Sequence, residues 1–450
     1  MEKDLTGGSV LKNIIRFSLP YLASYFLQTF YGLADLFITG QFNGADAITA
    51  VSNGSQIMHF VTVFIVGISV GTTVMIAHGV GARNREQVER SIGGTVTVFA
   101  VVAAVLTLVL LLLSKGIVGI IQTPEESRQA MQTYIMICFA GIPFITAYNA
   151  IAAVFRGLGD SKTPMLFILI ACVLNIALDY LFIGGFGLGA AGAALGTVIS
   201  QTASVLFSLF LITHRDMGIH ISKKDLIPDR EILKGLIYVG MPIACQDGFI
   251  QVSFLVITAI ANSRGVEIAA AVGITEKIIT FLFLVPSSMM STISAVGAQC
   301  IGAKLYDRAK KTLFVGMGIA CSIGIIFAVI FQTASEEVLS AFTDDAEVVR
   351  YGAQYLKAYV TDCFFASIHF CFSGYFSACS LSIWSFLHNA ISIVTVRIPG
   401  AYFASRMYPD TLYPMGLAAP MGSLLSAAIC VIVYIYIQRN LGQSKSIKEA

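Results

Sequence analysis

Two aspartates stand inside sequence that is otherwise almost wholly apolar. Asp35 and Asp179 each lie late in a long apolar run, and Asn175 precedes Asp179 by four residues, which places amide and carboxylate on one face of a helix. Thr197 lies about two turns into the next apolar run. Placing a charge in hydrocarbon costs at least about 2.5–3.5 kcal/mol of insertion free energy, so we interpret these four residues as members of one functional site.

Two carboxylates, an amide and a hydroxyl favour one of two kinds of chemistry. Carboxylates that face each other in a medium of low dielectric repel, so one of them is expected to bind a proton near neutral pH. Alternatively, a hard cation such as Na⁺ would neutralise the pair, with the amide and hydroxyl completing its shell. The third interpretation is a hydrogen-bonded cluster that only joins helices, but two acids without a basic partner make poor structural contacts.

The composition explains why these charges are costly. Hydrophobic residues make up 56% of the 450 positions, charged residues make up 12%, and the mean hydropathy is +0.80. Soluble proteins are about 25% charged, so the sequence predicts a polytopic membrane protein and excludes a soluble fold. The nine cysteines include no C-x-x-C pair and lie within apolar stretches, which indicates small core residues and not a metal or disulfide site.

Apolar runs that could cross a bilayer recur along the whole chain. About 20 apolar residues in a helix span ~30 Å of hydrocarbon, and the periodicity of these runs is helical. We therefore predict an all-α polytopic membrane protein with 12 transmembrane helices. The predicted spans are 14–39, 52–78, 93–113, 131–155, 164–183, 190–212, 235–261, 269–299, 313–333, 352–378, 383–405 and 414–438.

The basic residues are distributed unevenly between the loops of this arrangement. Of the 28 Lys and Arg residues, 20 fall on the side of the two termini, five fall on the other side, and three lie inside spans. By the positive-inside rule, both termini are expected in the cytoplasm. The sequence thus predicts a multi-pass protein of the inner (plasma) membrane, and we expect a monomer in the lipid bilayer.

The chain also repeats itself with an offset of 221 or 222 positions. Arg83 and Lys304 keep the first offset, and Pro20 and Pro242 keep the second. An offset of six spans preserves the direction through the membrane, so we expect two six-helix lobes related by a pseudo-twofold axis along the membrane normal. The predicted divisions are an N-lobe at 1–212, a cytoplasmic linker at 213–234 and a C-lobe at 235–450.

Paired lobes of this kind usually enclose a cleft that opens alternately to the two sides, and this geometry favours a transporter. A duplicated channel or scaffold is the alternative that the repeat leaves open. The sequence has neither a G-x-x-x-x-G-K-[ST] nor an H-E-x-x-H motif, and no soluble segment large enough for a nucleotide-binding domain. We therefore expect neither an enzyme nor ATP-driven transport, no organic cofactor and no nucleic-acid partner.

The second half of the chain carries further charges inside spans. These are Asp247, Glu276, Asp362 and Arg397, and the expected role of most is structural pairing, for example of Arg397 with a carboxylate. Aromatic residues crowd the first and tenth spans. Those that face the cleft would suit flat, apolar, cationic small molecules through stacking and cation–π attraction.

Five short motifs along the chain form a recognisable set. They are Pro20 to Asp35 with the run Tyr31-Gly-Leu-Ala-Asp35, Ile76-Ala-His-Gly-Val-Gly-Ala82, Arg156-Gly-Leu-Gly-Asp-Ser-Lys-Thr-Pro164, Asn175-x-x-x-Asp179 and Arg397-Ile-Pro399. Together they resemble the multidrug and toxic compound extrusion (MATE) family, in particular its bacterial branch of DinF-like and staphylococcal multidrug exporters. The likeness covers essentially the whole chain.

The resemblance implies a 6 + 6 helix secondary exporter of bulky amphipathic or cationic organic compounds, driven by inward movement of H⁺ or Na⁺. In such proteins the residues that match Asp35, Asn175, Asp179 and Thr197 form a cation site in the first lobe. This is the one place where a metal ion, Na⁺, is expected. The coupling ion itself, H⁺ or Na⁺, is left open by oxygen ligands of this kind.

The resemblance also implies roles for residues away from the acids. Pro20 matches a proline proposed to change the bend of the first helix when the cation site is protonated, and it is the expected hinge. Gln28, Tyr31 and Asn149 match positions expected to line the substrate cavity.

One position departs from the family pattern. Another branch carries a glutamate on span seven a few residues after the proline, where this chain has Ile250-Gln251, so a second-lobe Na⁺ site of that branch is not expected. Within transport, the alternative is a flippase for lipid-linked precursors, although those proteins have extra spans and several cationic cavity residues. From another class, the alternative is a membrane receptor or scaffold that transports nothing.

Overall fold

The computed structural model describes residues 4–121, 123–214, 222, 224–227 and 230–448, with the backbone alone for 440–448. Within this part of the chain all regular secondary structure is helical, which confirms the predicted all-α fold. Residues 215–221, 223, 228 and 229 of the predicted linker 213–234 lie outside the described residues.

The helices follow one another with short connections. In the first half they are α1 (Val10–Phe42), α2 (Ala45–Gly81), α3 (Arg85–Ile120), α4 (Glu125–Ala140), α5 (Ile142–Gly157), α6 (Lys162–Asp179), a π-helical turn (Tyr180–Gly185) and α7 (Gly189–His214). In the second half they are α8 (Arg230–Asn262), α9 (Val266–Leu282), α10 (Leu284–Gly302), α11 (Tyr306–Thr333), α12 (Ser335–Ser340), α13 (Ala346–Tyr359), α14 (Asp362–Ala378), α15 (Ile383–Ser392), a second π-helical turn (Ile393–Arg397), α16 (Ile398–Met407), α17 (Tyr413–Gly416) and α18 (Ala418–Lys448).

Each predicted span falls within one helix or within helices that follow each other after a short break. Among the described residues, eight such stretches are long and apolar enough to cross a membrane, and the pair α4–α5, bent by 46°, makes a ninth. The other three are α1, α13 with α14, and α15 with α16. Polar side chains lower the hydropathy of α1, and breaks shorten the others to 10–17 residues.

These three less apolar stretches carry much of the buried charge. Asp35 lies on α1, Asp362 is the first residue of α14, and Arg397 ends the π-helical turn between α15 and α16. All three side chains are buried. The local departure from a simple apolar helix therefore coincides with the residues that could do chemistry.

The predicted repeat extends to the backbone conformation. Arg83 and Lys304 have positive φ angles of 53° and 61°, and Gly159 and Ser380 have 86° and 57°. The members of both pairs stand 221 positions apart. Each of these residues follows the end of a helix, where a left-handed residue commonly stops helical hydrogen bonding. The two halves thus end corresponding helices in the same way.

The described chain forms two compact units, each with its own apolar core. Ile65 and Phe139 lie in the core of the first, and Leu356 and Tyr359 lie in the core of the second. The lobe boundaries derived from the repeat stay a prediction. The first unit comprises Met1–Ala244 with Ala298–Tyr306, and the second comprises Cys245–Gly297 with Asp307–Ala450.

Within the first unit, α2 and the end of α10 cross at two glycines. A Cβ atom on Gly81 would overlap the carbonyl oxygen of Gln299, and one on Gly302 would overlap the carbonyl oxygen of His78. The contacts are reciprocal, because each glycine and each carbonyl has its counterpart 221 positions away. Membrane helices commonly approach closely through small residues of this kind.

We expect Gly81→Ala and Gly302→Ala each to destabilise the protein by about 1–3 kcal/mol, because the added methyl group forces the two backbones apart. The measurement is the thermal unfolding temperature of the purified protein in detergent. Gly116→Ala on α3 is the control, since its Cβ would meet nothing within 4 Å. Equal unfolding temperatures for all three variants would show that the crossing is not tightly packed.

Candidate cation site

Three helices of the first unit bring together the four polar residues singled out in the sequence. Asp35 comes from α1, Asn175 and Asp179 from α6, and Thr197 from α7. The Thr197 hydroxyl donates to Oδ2 of Asp35 over 3.3 Å. Asp179 and Asn175 lie within interaction distance of the same Asp35 carboxyl group. The assembly exists in this structure, and its role as a cation site stays a prediction.

Most of the polar atoms in this cluster have no partner. Oδ1 of Asp35, both carboxyl oxygens of Asp179, and the amide oxygen and nitrogen of Asn175 are buried without a hydrogen bond. Neither carboxylate forms an ion pair with a basic side chain in the described part of the chain. Buried polar groups are nearly always satisfied, so this concentration of orphaned oxygens requires an explanation.

A bound monovalent cation would account for the unpartnered atoms. A proton on one carboxyl would remove the repulsion between the two acids and supply a donor for the neighbouring oxygens. A Na⁺ ion would be held by Asp35 and Asp179, with the Asn175 carbonyl and the Thr197 hydroxyl as further oxygen ligands. The donor set is chemically suited to both ions.

Small residues on α7 allow the close approach that buries the acids. A Cβ on Gly196 would overlap Oδ1 of Asp179, and one on Gly192 would come within 3.1 Å of Ile183. Two turns farther along α7, the Ser204 hydroxyl donates to the carbonyl oxygen of Phe167 over 2.9 Å. The α6–α7 contact is therefore stabilised by close packing at the two glycines near the acids, and by the hydrogen bond between Ser204 and Phe167 two turns away.

A change of helix type follows directly after Asp179. The π-helical turn Tyr180–Gly185 begins at the next residue and continues α6 without a break. Such turns occur often at functional sites, because the extra residue per turn shifts the side chains that follow. Here it separates Asp179 from the connection to α7.

The predicted hinge and cavity residues lie on α1 and α5. Pro20 is buried inside α1, and the Ser24 hydroxyl donates to the Pro20 carbonyl over 2.9 Å. Gln28 and Tyr31 are half-buried farther along the same helix. Asn149 is buried on α5, where its amide donates to the carbonyl of Ile145 over 2.8 Å. Their functional roles stay predictions.

The second unit contains a charged cluster for which the sequence predicted a different contact. Arg397 forms no ion pair with a carboxylate in the described chain; it donates to the Tyr359 hydroxyl over 2.5 Å and lies 4.8 Å from the Phe254 ring centre. Asp362 and Glu276 interact with it only at longer range. The predicted pairing is thus replaced by a hydroxyl and an aromatic ring, and Nε of Arg397 is buried without a hydrogen bond.

A buried histidine network was missed in the sequence. Nε2 and Nδ1 of His388 each lie 3.0 Å from a serine hydroxyl, that of Ser373 and that of Ser426. The ring of His369 lies 5.5 Å from that of His388. Three helices, α14, α15 and α18, had to meet before this network could form, and only His369 and Ser373 share a helix.

The MatE family model matches the chain twice, over residues 20–181 and 242–403. The two matched stretches begin at Pro20 and Pro242, a pair that keeps the offset of 222 found in the sequence. Each half of the duplicated chain therefore carries one complete copy of the family pattern.

Similar proteins extend over nearly the whole chain. The probable multidrug resistance protein YpnP of Bacillus subtilis is 28% identical, over 96% of this chain and 96% of its own length. YoeA of the same organism, also described as a probable multidrug resistance protein, is 26% identical over 96% and 94%. The multidrug export protein MepA of Staphylococcus aureus is 24% identical over 96% and 94%.

Solved structures share the fold. A MATE protein in the straight conformation has a TM-score of 0.90 at 21% identity and covers 98% of each chain. A MATE protein in the bent conformation has the same TM-score and identity and covers 99% of this chain and 98% of its own. At this identity the likeness concerns the fold alone, and it confirms the predicted 12-helix transmembrane architecture.

We expect Gly196→Ala to disturb the acid pair, because the new methyl group and Oδ1 of Asp179 would occupy the same space. The variant should unfold at a lower temperature in detergent, and Asp179→Ala in the same chain should restore part of the loss by removing the clash. Gly32→Ala, one turn from Asp35 with nothing within 4 Å of the added Cβ, is the control. Additive effects of the two substitutions would contradict the contact.

Proposed function

The chain belongs to the MatE family, and we propose that it exports organic compounds in exchange for an entering monovalent cation, by alternating access. The observation that carries this proposal is the buried pair of Asp35 and Asp179, which has no basic partner in the described part of the chain. We further propose that the protein acts as a monomer in the plasma membrane, with both termini in the cytoplasm and no organic cofactor. Transport by this family is not an enzymatic reaction.

The acid pair supplies the coupling in this proposal. When both carboxylates are ionised they repel each other, so the arrangement that brings them together is unfavourable until a proton or Na⁺ binds. Cation binding therefore favours one arrangement of the helices, and substrate binding favours the other. A ligand shifts such an equilibrium only by its differential affinity for the two states.

The membrane potential makes this exchange productive. A monovalent cation that enters gains about 2.3 kcal/mol per 100 mV, which corresponds to about 50-fold accumulation of a neutral substrate at 1:1 coupling. A substrate that carries one positive charge takes out the same charge that the cation brings in, so at 1:1 coupling its export is driven by the pH or Na⁺ gradient and not by the membrane potential. The single pair of acids is thus sufficient for useful export without nucleotide hydrolysis.

Pro20 is the proposed hinge through which the acid pair acts on the rest of α1. Proline has no amide hydrogen, so one helical hydrogen bond is missing at this point, and the helix can bend there at lower cost than elsewhere. Asp35 lies 15 positions later, or about 22 Å along the helix axis. A change in the contacts of Asp35 would therefore tilt the segment of α1 that lies between Pro20 and Asp35.

The proposed substrates are bulky amphipathic compounds with a positive charge. Asp247 on α8 is half-buried and has no hydrogen-bond or ion-pair partner among the described residues. A Cβ on the adjacent Gly248 would meet nothing within 4 Å, so α8 is loosely packed at this neighbouring position. A lone acid on a membrane-spanning helix suits an organic cation, and the relatives named above are described as multidrug resistance or export proteins.

We expect Asp35→Asn and Asp179→Asn each to abolish substrate accumulation, because neither amide can exchange a cation. The measurement is substrate uptake into proteoliposomes under an imposed pH gradient and, separately, under an imposed Na⁺ gradient. Asp344→Asn, which changes an exposed acid, is the control and should transport normally. Undiminished gradient-driven transport by both site variants would refute the coupling role and with it the proposed function.

We expect Asp247→Asn to weaken binding of a cationic substrate by about tenfold, the effect of losing ~1.4 kcal/mol of attraction. Binding of an uncharged analogue of the same size should stay unchanged. Titration of the purified protein with both compounds measures the difference. An equal loss for the charged and the uncharged compound would show that Asp247 shapes the protein and does not recognise charge.

A further inference from the structure

The segment that precedes α1 is bound to a helix from the other half of the chain. The backbone N–H of Leu5 donates to Oε1 of Gln299 over 3.1 Å, although 294 positions separate the two residues. Leu5 is 8% exposed, and Gln299 on α10 is completely buried. This contact lies inside the first compact unit, which includes Ala298–Tyr306. We call residues 4–8 the strap.

Gln299 joins the strap to two further helix ends. Its Nε2 donates to the carbonyl oxygen of Gly157 at the end of α5 over 3.2 Å. Its backbone carbonyl lies against Gly81 at the end of α2, where a Cβ atom would overlap it. An amide side chain can donate and accept at the same time, as this position requires. One buried side chain therefore holds the strap and α5 against α10, next to the crossing of α2 and α10.

Further hydrogen bonds give the strap a defined conformation. Nδ2 of Asn13 on α1 donates to the carbonyl oxygens of Leu5 and Gly7 over 3.0 and 2.9 Å. Oδ1 of Asp4 accepts from the backbone N–H of Thr6 over 2.8 Å. Segments outside helices are generally more mobile than the helices unless such contacts hold them in place. Here the contacts fix the position of the Leu5 N–H.

Part of this sequence recurs before α8. Lys3-Asp4-Leu5 is repeated as Lys224-Asp225-Leu226, 221 positions later. The Thr97 hydroxyl on α3 donates to the carbonyl oxygen of Leu226, and a Cβ atom on Gly93 of the same helix would overlap the carbonyl of Asp225. The first copy thus binds a helix of the second half, and the second copy binds a helix of the first half. A segment that only led into a helix would need no contact with the other half.

The contacts of Gln299 lie where a transporter of the proposed kind has to open. Arg83 and Lys304 follow the ends of α2 and α10, and both belong to the basic residues of the predicted cytoplasmic side. In alternating access, helices of the two halves separate on this side before a substrate can enter. Both hydrogen bonds of the Gln299 side chain join α10 to the first half of the chain, so both must break in that step.

We propose that the strap and Gln299 keep the predicted cytoplasmic side closed, and that the hydrogen bond between Leu5 and Gln299 breaks each time this side opens. This inference rests on the proposed export by alternating access and assigns a control to its opening step. Gln299 is a positioning residue, because it acts through the helix ends that it joins. Weakening its contacts should raise the population of the state that is open to the cytoplasm, since only the closed state contains them.

The test measures the separation of the ends of α2 and α10. Spin labels are attached through Arg85→Cys and Leu305→Cys, two exposed positions that follow these helices, in the purified full-length protein in detergent. All nine native cysteines are at least partly buried, and each variant without the introduced pair gives the background from their labelling. Pulsed electron spin resonance then gives the distance distribution, in which a population at longer distance reports the open state.

Two changes weaken the strap from opposite sides. Deletion of residues 2–8 and Gln299→Leu should each raise the population at longer distance by about fivefold, the effect of one hydrogen bond on an equilibrium. The two changes together should do less than the product of their separate effects, because both remove the contact between Leu5 and Gln299. Asn13→Ala releases the strap more mildly and should act in the same direction, so it serves as the test if the deletion does not fold.

Gln132→Leu is the matched control. The Gln132 side chain also joins two helices, since it donates from α4 to the Ser114 hydroxyl on α3 over 2.9 Å. Its loss should lower the unfolding temperature without changing the distance distribution. An unchanged distribution in Gln299→Leu and in the strap variants would mean that the strap only stabilises the fold, and would overturn the inference. The measurement needs neither substrate nor an ion gradient, so a failure of the coupling role of Asp35 and Asp179 would leave its result in place.

Discussion

Repulsion between two carboxylates in a medium of low dielectric is the constraint on which the rest of this molecule depends. Asp35 and Asp179 are held together by α1, α6 and α7, and neither has a basic partner among the residues that the structure describes. A membrane helix that carries an acid without a partner is costly to insert and to fold. In the proposed mechanism this cost is offset when the pair takes up a positive charge, and it returns each time that charge leaves.

The architecture supports this constraint in two ways. Gly196 at the α6–α7 contact brings the α7 backbone against the carboxyl group of Asp179, which leaves no room there for a side chain. The stretches that carry charge are also the least apolar or the most interrupted, as in α1 with Pro20 and in α15–α16 with its π-helical turn. Helices such as α2 and α11 have no such break and are long and apolar enough to cross a bilayer.

Part of the acid cluster and the duplicated fold could be predicted from the sequence, because these features depend on spacing along one helix or on a repeat. Asn175 and Asp179 share a helix face by their separation, and the duplication is visible in residues such as Arg83 and Lys304. Arg156 could not be placed in this way. It sits at the end of a helix beside a glycine-rich turn, and its contact with Tyr21 joins positions 135 residues apart. The contact of Arg397 could not be predicted either. Its charge suggested an acidic partner, whereas the fold places the Tyr359 hydroxyl beside it.

The most direct test of the account is cation release on substrate binding. Purified protein in a weakly buffered detergent solution is mixed with substrate while a pH indicator and a Na⁺-selective electrode are read together. The account predicts release of about one H⁺ or one Na⁺ per wild-type protein, and none when Asp35 and Asp179 are both replaced by asparagine, because substrate and cation favour opposite states. Substrate binding without release of either ion, or the same release from the doubly substituted protein, would contradict it.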